Sequence, residues 1–378
     1  MLGIFKLALK LLMNDKGKFS ALLMGITFAV FLMVMMMSMF SGILLRASSS
    51  VENVGAKIWI LDPAVNNVSS SIPMPNYVLD FAKSINGVKH AEPIYFGGAM
   101  VKLGDGTYQG VNVIGLDDTT LYGRPFLLEG KIEDIYAENG FIVVKDAEYE
   151  KLENPKMSAE FEINDHRGRI VGIAKVPQSG LFGVPTLYTT YNRAITYIPS
   201  SRFTLSFVLL EPKSVKDIPY IQSQIKGLGY EALTREQFIQ KISNFYKFKT
   251  GMGMNVLIMT IISFIVGLSI SGQTFYSFVV ENLDKFGALK AIGAKGRELV
   301  MMIMVQCTFT CLIGYGLGVG LATSAMILAK LRMPDYAAQV TNTNLSLAFL
   351  LVVIIAVFSS YISIRKVLEI QPFDIFRG

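Results

Sequence analysis

Cysteine, histidine and tryptophan are scarce: two, two and one in 378 residues. The stretch 46–250 has no cysteine, so it must fold on an apolar core without disulfides, and about 200 residues is enough for that. Cys307 and Cys311, one helical turn apart in an apolar run, read as small packing residues. His90 and His166 are far apart and lack a set of partners at ligand spacing, which argues against a metal site. No Gly-x-x-x-x-Gly-Lys-Ser/Thr occurs; Gly287–Lys295 imitates it with a wrong interval and no hydroxyl, so this chain has no P-loop for ATP. Serine nucleophile elbows are missing too. Asp117 and Asp118, after a predicted strand, read as a loop cap rather than an acid pair. No catalytic, cofactor-binding or metal-ligating residue is assigned.

Charge is missing in four places: Phe19–Leu45, Thr250–Val280, Leu299–Ala329 and Tyr336–Ile364. A bilayer core of roughly 30 Å needs about 20 apolar helical residues, so each run can span. The first, at 27 residues, is far longer than the apolar part of a cleavable signal, and reads as a retained anchor. None of the four holds an ionisable side chain, which argues against a carrier powered by its own proton or ion relay. The expected fold class is therefore a membrane protein with four transmembrane α-helices, one plus three, and a large α+β extracytoplasmic domain after the first.

The net charge of +6 might suggest nucleic acid, but 46–250 carries 22 Lys/Arg and 22 Asp/Glu. The excess lies beside the spans: Lys6, Lys10, Lys16 and Lys18; Lys285, Lys290, Lys295 and Arg297; Arg365, Lys366 and Arg377. Flanking cations set orientation, which places both termini and the 281–298 loop in the cytoplasm and 46–250 outside, with no nucleic-acid partner. The organisation read from the sequence is an amphipathic helix at 1–18, with Leu2, Phe5, Leu9 and Leu12 near one face, then a span at 19–45. An external domain covers 46–234 and a stalk helix 235–250. Spans at 251–280, 299–329 and 345–364 are joined by loops at 281–298 and 330–344, and a tail covers 365–378.

Within the external domain, strands are expected at 57–61, 95–103, 108–115, 140–144, 159–163, 169–176 and 205–210, and helices at 75–84, 215–228 and 235–248. Asp105-Gly106 supplies a hairpin turn. Thr234 and Gln237 have the capping-box spacing at the start of the stalk, whose interior includes Ile242. Whether the stalk runs into the second span as one rod or hinges at Gly251 and Gly253 stays open. Ser263, Gly267 and Ser271 recur every four residues, and Gly314, Gly316, Gly318 and Gly320 form two overlapping Gly-x-x-x-Gly pairs; both stripes suit close helix packing within the chain or between copies.

The loop beginning at Glu281 continues through Phe286-Gly287-Ala288-Leu289-Lys290-Ala291-Ile292-Gly293-Ala294. It resembles the coupling-helix signature of MacB/FtsX-type (type VII) ABC transporter permeases. The start Leu7–Ser20 and the end Ile370–Arg377 resemble that family's first and last motifs. Ile58–Pro63 and Val113–Asp118 look closest to its DevC-like branch, which has no fused ATPase domain. The resemblance implies a permease homodimer in a bacterial inner membrane, over a separate ABC ATPase that holds ATP and Mg, with a periplasmic adaptor and an outer-membrane channel. Phe286, Gly287, Leu289, Lys290, Ile292 and Gly293 are then the ATPase-coupling residues, with Phe286, Leu289 and Ile292 expected on one offered face. Export of a hydrophobic or amphiphilic substrate is the leading reading. An FtsX-like transducer acting on a cell-wall hydrolase and a lipoprotein-release permease are the alternatives.

Overall fold

A computed structural model describes residues 2–178, 180, 183–198, 205–333 and 335–368. The terminal motif Ile370–Arg377 lies outside them. The chain divides into two units, one made of 1–42, 252–332 and 337–378, the other of 43–251 and 333–336.

In the first unit, α1 (Leu2–Asn14) is followed at Asp15 by α2 (Lys16–Ala47). Asp15 accepts the Lys18 amide at 3.2 Å, starting α2 afresh. Among the described residues, four helices are long and apolar enough to cross a membrane: α2, α8 (Gly251–Glu281), α10 (Gly296–Arg332) and α11 (Asn342–Leu368). A short α9 (Leu283–Ala291) joins α8 to α10. In α1 the buried residues are Ala8 and Leu12, while Phe5 is exposed. Gln306 explains the phase: its Nε2 donates to the Ala8 carbonyl at 2.9 Å and holds that side of α1 to α10.

The second unit is α+β. Its strands are β1 (Ile58–Leu61), β2 (Val88–Lys102), β3 (Tyr108–Leu116), β4 (Phe126–Gly130), β5 (Gly140–Val144), β6 (Glu160–Ile163), β7 (His166–Lys175), β8 (Thr186–Thr190), β9 (Phe207–Pro212) and β10 (Glu231–Thr234). They are ordered β10-β1-β9-β2-β3-β8-β5-β7-β4, and β6 pairs with both β2 and β7. That extra pairing closes β2, β3, β8, β5, β7 and β6 into a ring. Its interior holds Val101, Val113, Phe141, Val143, Ile163, Ile170 and Leu187.

The short α3 (Ser49–Val54) precedes β1 and α5 (Tyr191–Tyr197) follows β8; the other half is β10-β1-β9-β2 with α4 (Tyr77–Ser84) and α6 (Ile218–Gly227), a split βαβ arrangement. Alternate residues Ile58 and Ile60 pack with Val78 of α4 and Ile221 of α6. Trp59 points the other way, 5.5 Å from Phe207 and 5.6 Å from Phe238 of α7 (Arg235–Asn244), ring centre to ring centre. Burial on both faces explains why β1 reads as an unbroken apolar run. β2, at 15 residues, belongs to both halves.

Candidate functional site

The α8–α9–α10 turn is built by local hydrogen bonding. Asn282 is buried; its Nδ2 donates back to the Phe278 carbonyl at 2.8 Å, and Lys285 Nζ donates to its Oδ1 at 2.7 Å. This closes the end of α8 and starts α9 within one residue. Gly293, at φ +105°, makes the reversal that ends α9, a conformation that strains any residue with a Cβ. Its amide donates to the Lys290 carbonyl at 3.1 Å. Glu298 then caps α10, its carboxylate accepting the Lys295 amide at 2.8 Å.

Phe286 has no exposed surface. It belongs to one cluster with Ala8 and Leu12 of α1, Phe278 and Val279 of α8, Leu299, Met302 and Ile303 of α10, and Val367 of α11. Leu289 is half-buried against the same cluster, while Ile292 is 86% exposed. The expectation of a single face for Phe286, Leu289 and Ile292 is therefore corrected. At 3.6 residues per turn, positions six apart lie about 120° apart around the axis, so the first can face in while the last faces out. Asp284, Lys285, Ala288, Ala291 and Ile292 form the outer surface, with Gly287 buried and Lys290 half-buried.

At the stalk, Thr234 Oγ1 accepts the Gln237 amide at 3.2 Å and Gln237 Oε1 accepts the Thr234 amide at 2.9 Å, a reciprocal cap. Ile242 and Phe238 are fully buried. The α-helix ends at Asn244; residues 245–249 form a π-helical turn, and Thr250 is extended at φ −109°, ψ 156°. The backbone break thus falls one residue before Gly251.

Ser263, Gly267 and Ser271 are buried in α8. A Cβ on Gly267 would come within 2.6 Å of Ala29 Cβ; one on Gly314 would meet Ile26, and one on Gly318 would meet Val30, each at 2.6 Å. Cβ atoms on Gly316 and Gly320 would meet nothing within 4 Å. One Gly-x-x-x-Gly pair is consumed by packing on α2, and the other is open.

Residues 20–228, over half of the chain, match the family described as MacB-like periplasmic core domain, and residues 254–372 match FtsX-like permease C-terminal. The chain belongs to the MacB/FtsX family of ABC transporter permeases. An uncharacterized ABC transporter permease of Mycobacterium tuberculosis (strain CDC 1551 / Oshkosh) is 23% identical over 346 residues, 89% of each chain. The macrolide export ATP-binding/permease protein MacB of Psychrobacter arcticus is 23% identical over 55% of this chain and 32% of its own length. The putative hemin transport permease HrtB of Staphylococcus haemolyticus is 24% identical over 43% and 44%. The crystal structure of the periplasmic region of MacB from Actinobacillus actinomycetemcomitans aligns at TM-score 0.37 and 11% identity, covering 51% of this chain and 96% of that one.

The chain is an ABC transporter permease rather than a catalytic subunit, and this implies a partner ATPase. The MacB-like domain places 43–251 outside the cytoplasm in a multi-pass membrane protein. Sequence reading missed Gln306 and Asn282, buried polar residues that set the loop; their signal is an amide inside or at the end of an apolar run. It also missed a buried charge group in the permease's outer domain. Arg46, in the last turn of α2, pairs at 3.3 Å with Glu148, which has no exposed surface. Burial first, and the neighbouring Asp146 second, push the Glu148 carboxyl up to about 7. Asp117 acts as the loop cap, accepting the Thr119 and Thr120 amides at 3.0 and 2.8 Å.

Proposed function

We propose that this permease is the membrane half of an exporter, driven by a separate ABC ATPase that holds ATP and Mg and docks on the 281–298 loop from the cytoplasm. Both termini are cytoplasmic, and the membrane is a bacterial inner membrane. The observation that carries the reading is the division within α9: Phe286 is locked into a cluster drawn from α1, α8, α10 and α11, while Ile292 and Ala288 stand exposed. A push on the outer surface reaches every helix of that cluster through one aromatic ring, and packed cores transmit displacement because they have little free volume.

The substrate is hydrophobic or amphiphilic and is expelled on the outer side. The relatives named for macrolide export and hemin transport support this class. An amphiphile is further supported by a cavity of about 570 Å³ at the β2–β7 ring, where apolar Val101, Leu152, Ile170 and Leu187 lie beside charged Lys102, Glu153, Lys156, Glu160 and Glu162; cavities of this size suit drug-sized ligands. The permease works as a homodimer, with the open Gly316 and Gly320 surface available to a second copy. A periplasmic adaptor and an outer-membrane channel complete the path in the DevC-like manner, a reading that rests on the stretches 58–63 and 113–118.

The test is a cysteine at Ile292 in a chain without Cys307 and Cys311, co-expressed with the ATPase gene nearest to it. A disulfide or short bifunctional crosslink to the ATPase is expected from Ile292 and not from Ser70. Crosslinking from Ser70, or from neither position while the two proteins co-purify, overturns the docking assignment. Vesicles that hydrolyse ATP in step with the permease yet move no amphiphile would replace export by signalling.

A further inference from the structure

α10 carries a stripe that changes character along its length. Arg297, Val300, Met301 and Met304 follow at i, i+3, i+4 and i+7, so they share one side of the helix. Lys295 and Gly296, at the start of the helix, and Leu368, at the described end of α11, line with them, among the described residues, an open groove of about 750 Å³. Met301 is 43% exposed and Met304 49% exposed. Arg297 and the methionines are separated by one to two turns, roughly 6–11 Å at 1.5 Å per residue. The groove is therefore graded along the helix, cationic at the start of α10 and apolar beyond it.

The charges at the cationic end do not cancel. Lys295 and Arg297 are exposed, and neither has a side-chain ion-pair partner among the described residues. Glu298 is the nearest acid in sequence, and its carboxylate accepts the Lys295 amide in capping the helix. Lys290 Nζ turns to the Leu368 carbonyl at 3.5 Å. A positive end beside an apolar slot, on a helix long and apolar enough to cross a bilayer, matches a diacyl lipid with a negative headgroup. Methionine suits acyl chains, since its flexible thioether adapts to irregular apolar partners.

We propose that this groove is a binding site for an anionic phospholipid, with the phosphate between Lys295 and Arg297 and an acyl chain along Val300, Met301, Met304 and Leu368. The site adjoins Gly293 and Ala294 in sequence, so its occupancy fixes the start of α10 next to the α9 turn. It does not depend on what the permease exports.

Native mass spectrometry of the full chain, released from detergent after mixing with equal phosphatidylglycerol and phosphatidylcholine, tests this directly. Two cations near a headgroup correspond to a preference of roughly thirtyfold for phosphatidylglycerol. Lys295→Ala with Arg297→Ala should bring the two lipids to parity. The exchange Lys295→Arg with Arg297→Lys should keep the preference, as should Lys330→Ala with Arg332→Ala, a pair at the other end of α10. Parity in the unmodified chain, or a preference that survives the double alanine variant, overturns the site. Displacement of the lipid by millimolar inorganic phosphate overturns it too, because the apolar slot then adds nothing. So does a chain ending at Leu368 that binds far more lipid than the full chain, since the groove would then belong to the protein's own tail.

Discussion

Arg46 Nη1 lies 3.3 Å from Glu148 Oε1, and the carboxylate has no surface open to solvent. Its second oxygen has no hydrogen-bond partner among the described residues. One guanidinium faces two carboxylates here, Glu148 and Asp146, and burial pushes both carboxyls above their usual range, Glu148 to about 7. A carboxyl raised in the folded state favours folding while it is protonated, and that advantage is lost as pH rises from its unfolded value of about 4.5 through 7. The thermal midpoint of the outer domain should therefore fall between pH 5 and pH 8. Glu148→Gln should flatten that part of the profile, as followed by fluorescence of the buried Trp59. An unchanged slope in the variant would assign the pH response elsewhere.

Coupling should separate from folding along α9. Ile292→Asp, on the exposed side, is expected to abolish stimulated ATP turnover while membrane insertion and protein level stay normal. Phe286→Asp buries an unpaired charge and should remove the protein instead. Phe286→Ala, at about 3–5 kcal/mol, should lower the melting temperature measurably in detergent. Normal turnover in Ile292→Asp would exclude this surface as the ATPase contact.

At the stalk, proline at Ile242 removes a backbone hydrogen bond and a fully buried side chain, costing about 3 kcal/mol or more. Transport should fall much more than basal ATP hydrolysis does in that variant. Gly251→Ala meets no atom within 4 Å and adds helix propensity of about 1 kcal/mol at the start of α8. It should be tolerated, because the backbone break sits at Thr250 rather than at the glycine. Equal transport by both variants would remove the stalk from the coupling route.

The two Gly-x-x-x-Gly pairs should behave differently. Gly318→Val places atoms where Val30 and the Thr27 carbonyl already lie, and should destabilise the isolated chain by several degrees. Gly320→Val has open space in the monomer, so its melting temperature should stay close to the parent value. Loss of dimer in mass photometry for Gly320→Val, with the monomer intact, would support that side as the contact between copies; an unaffected dimer would place the contact elsewhere.

The four spans and the α+β class were legible because an absence of charge over 27 or more residues has few other meanings. β1, β3, β5 and β6 followed from β-branched and aromatic runs. β4, β8 and β10 did not, being short and rich in Thr, Leu or Glu, with pairing supplied by partners far along the chain. The ring closed by β6 is also invisible locally, since it rests on the Val101–Ile163 and Lys102–Glu162 pairs alone on the β2 side. The small-residue stripes were readable as packing surfaces, but not which pair was used. The facing of Phe286 was not readable either: helical spacing gives relative angles, and the choice of inward side comes from α1, α10 and α11.

The register of β1 also orders events during biogenesis. Residues 58–61 are among the first of the outer domain to leave the membrane, yet their partners are 208–210 of β9 and 231–234 of β10. Until those emerge, Ile58, Trp59 and Ile60 have no strand to join, and pairings of such long sequence separation form slowly. Translocation must thus run almost to the second span before the β10-β1-β9-β2 half can assemble. A ribosome stalled short of residue 208 leaves an apolar strand waiting outside the cell membrane, which makes the exposed intermediate a natural target for extracytoplasmic chaperones and quality-control proteases.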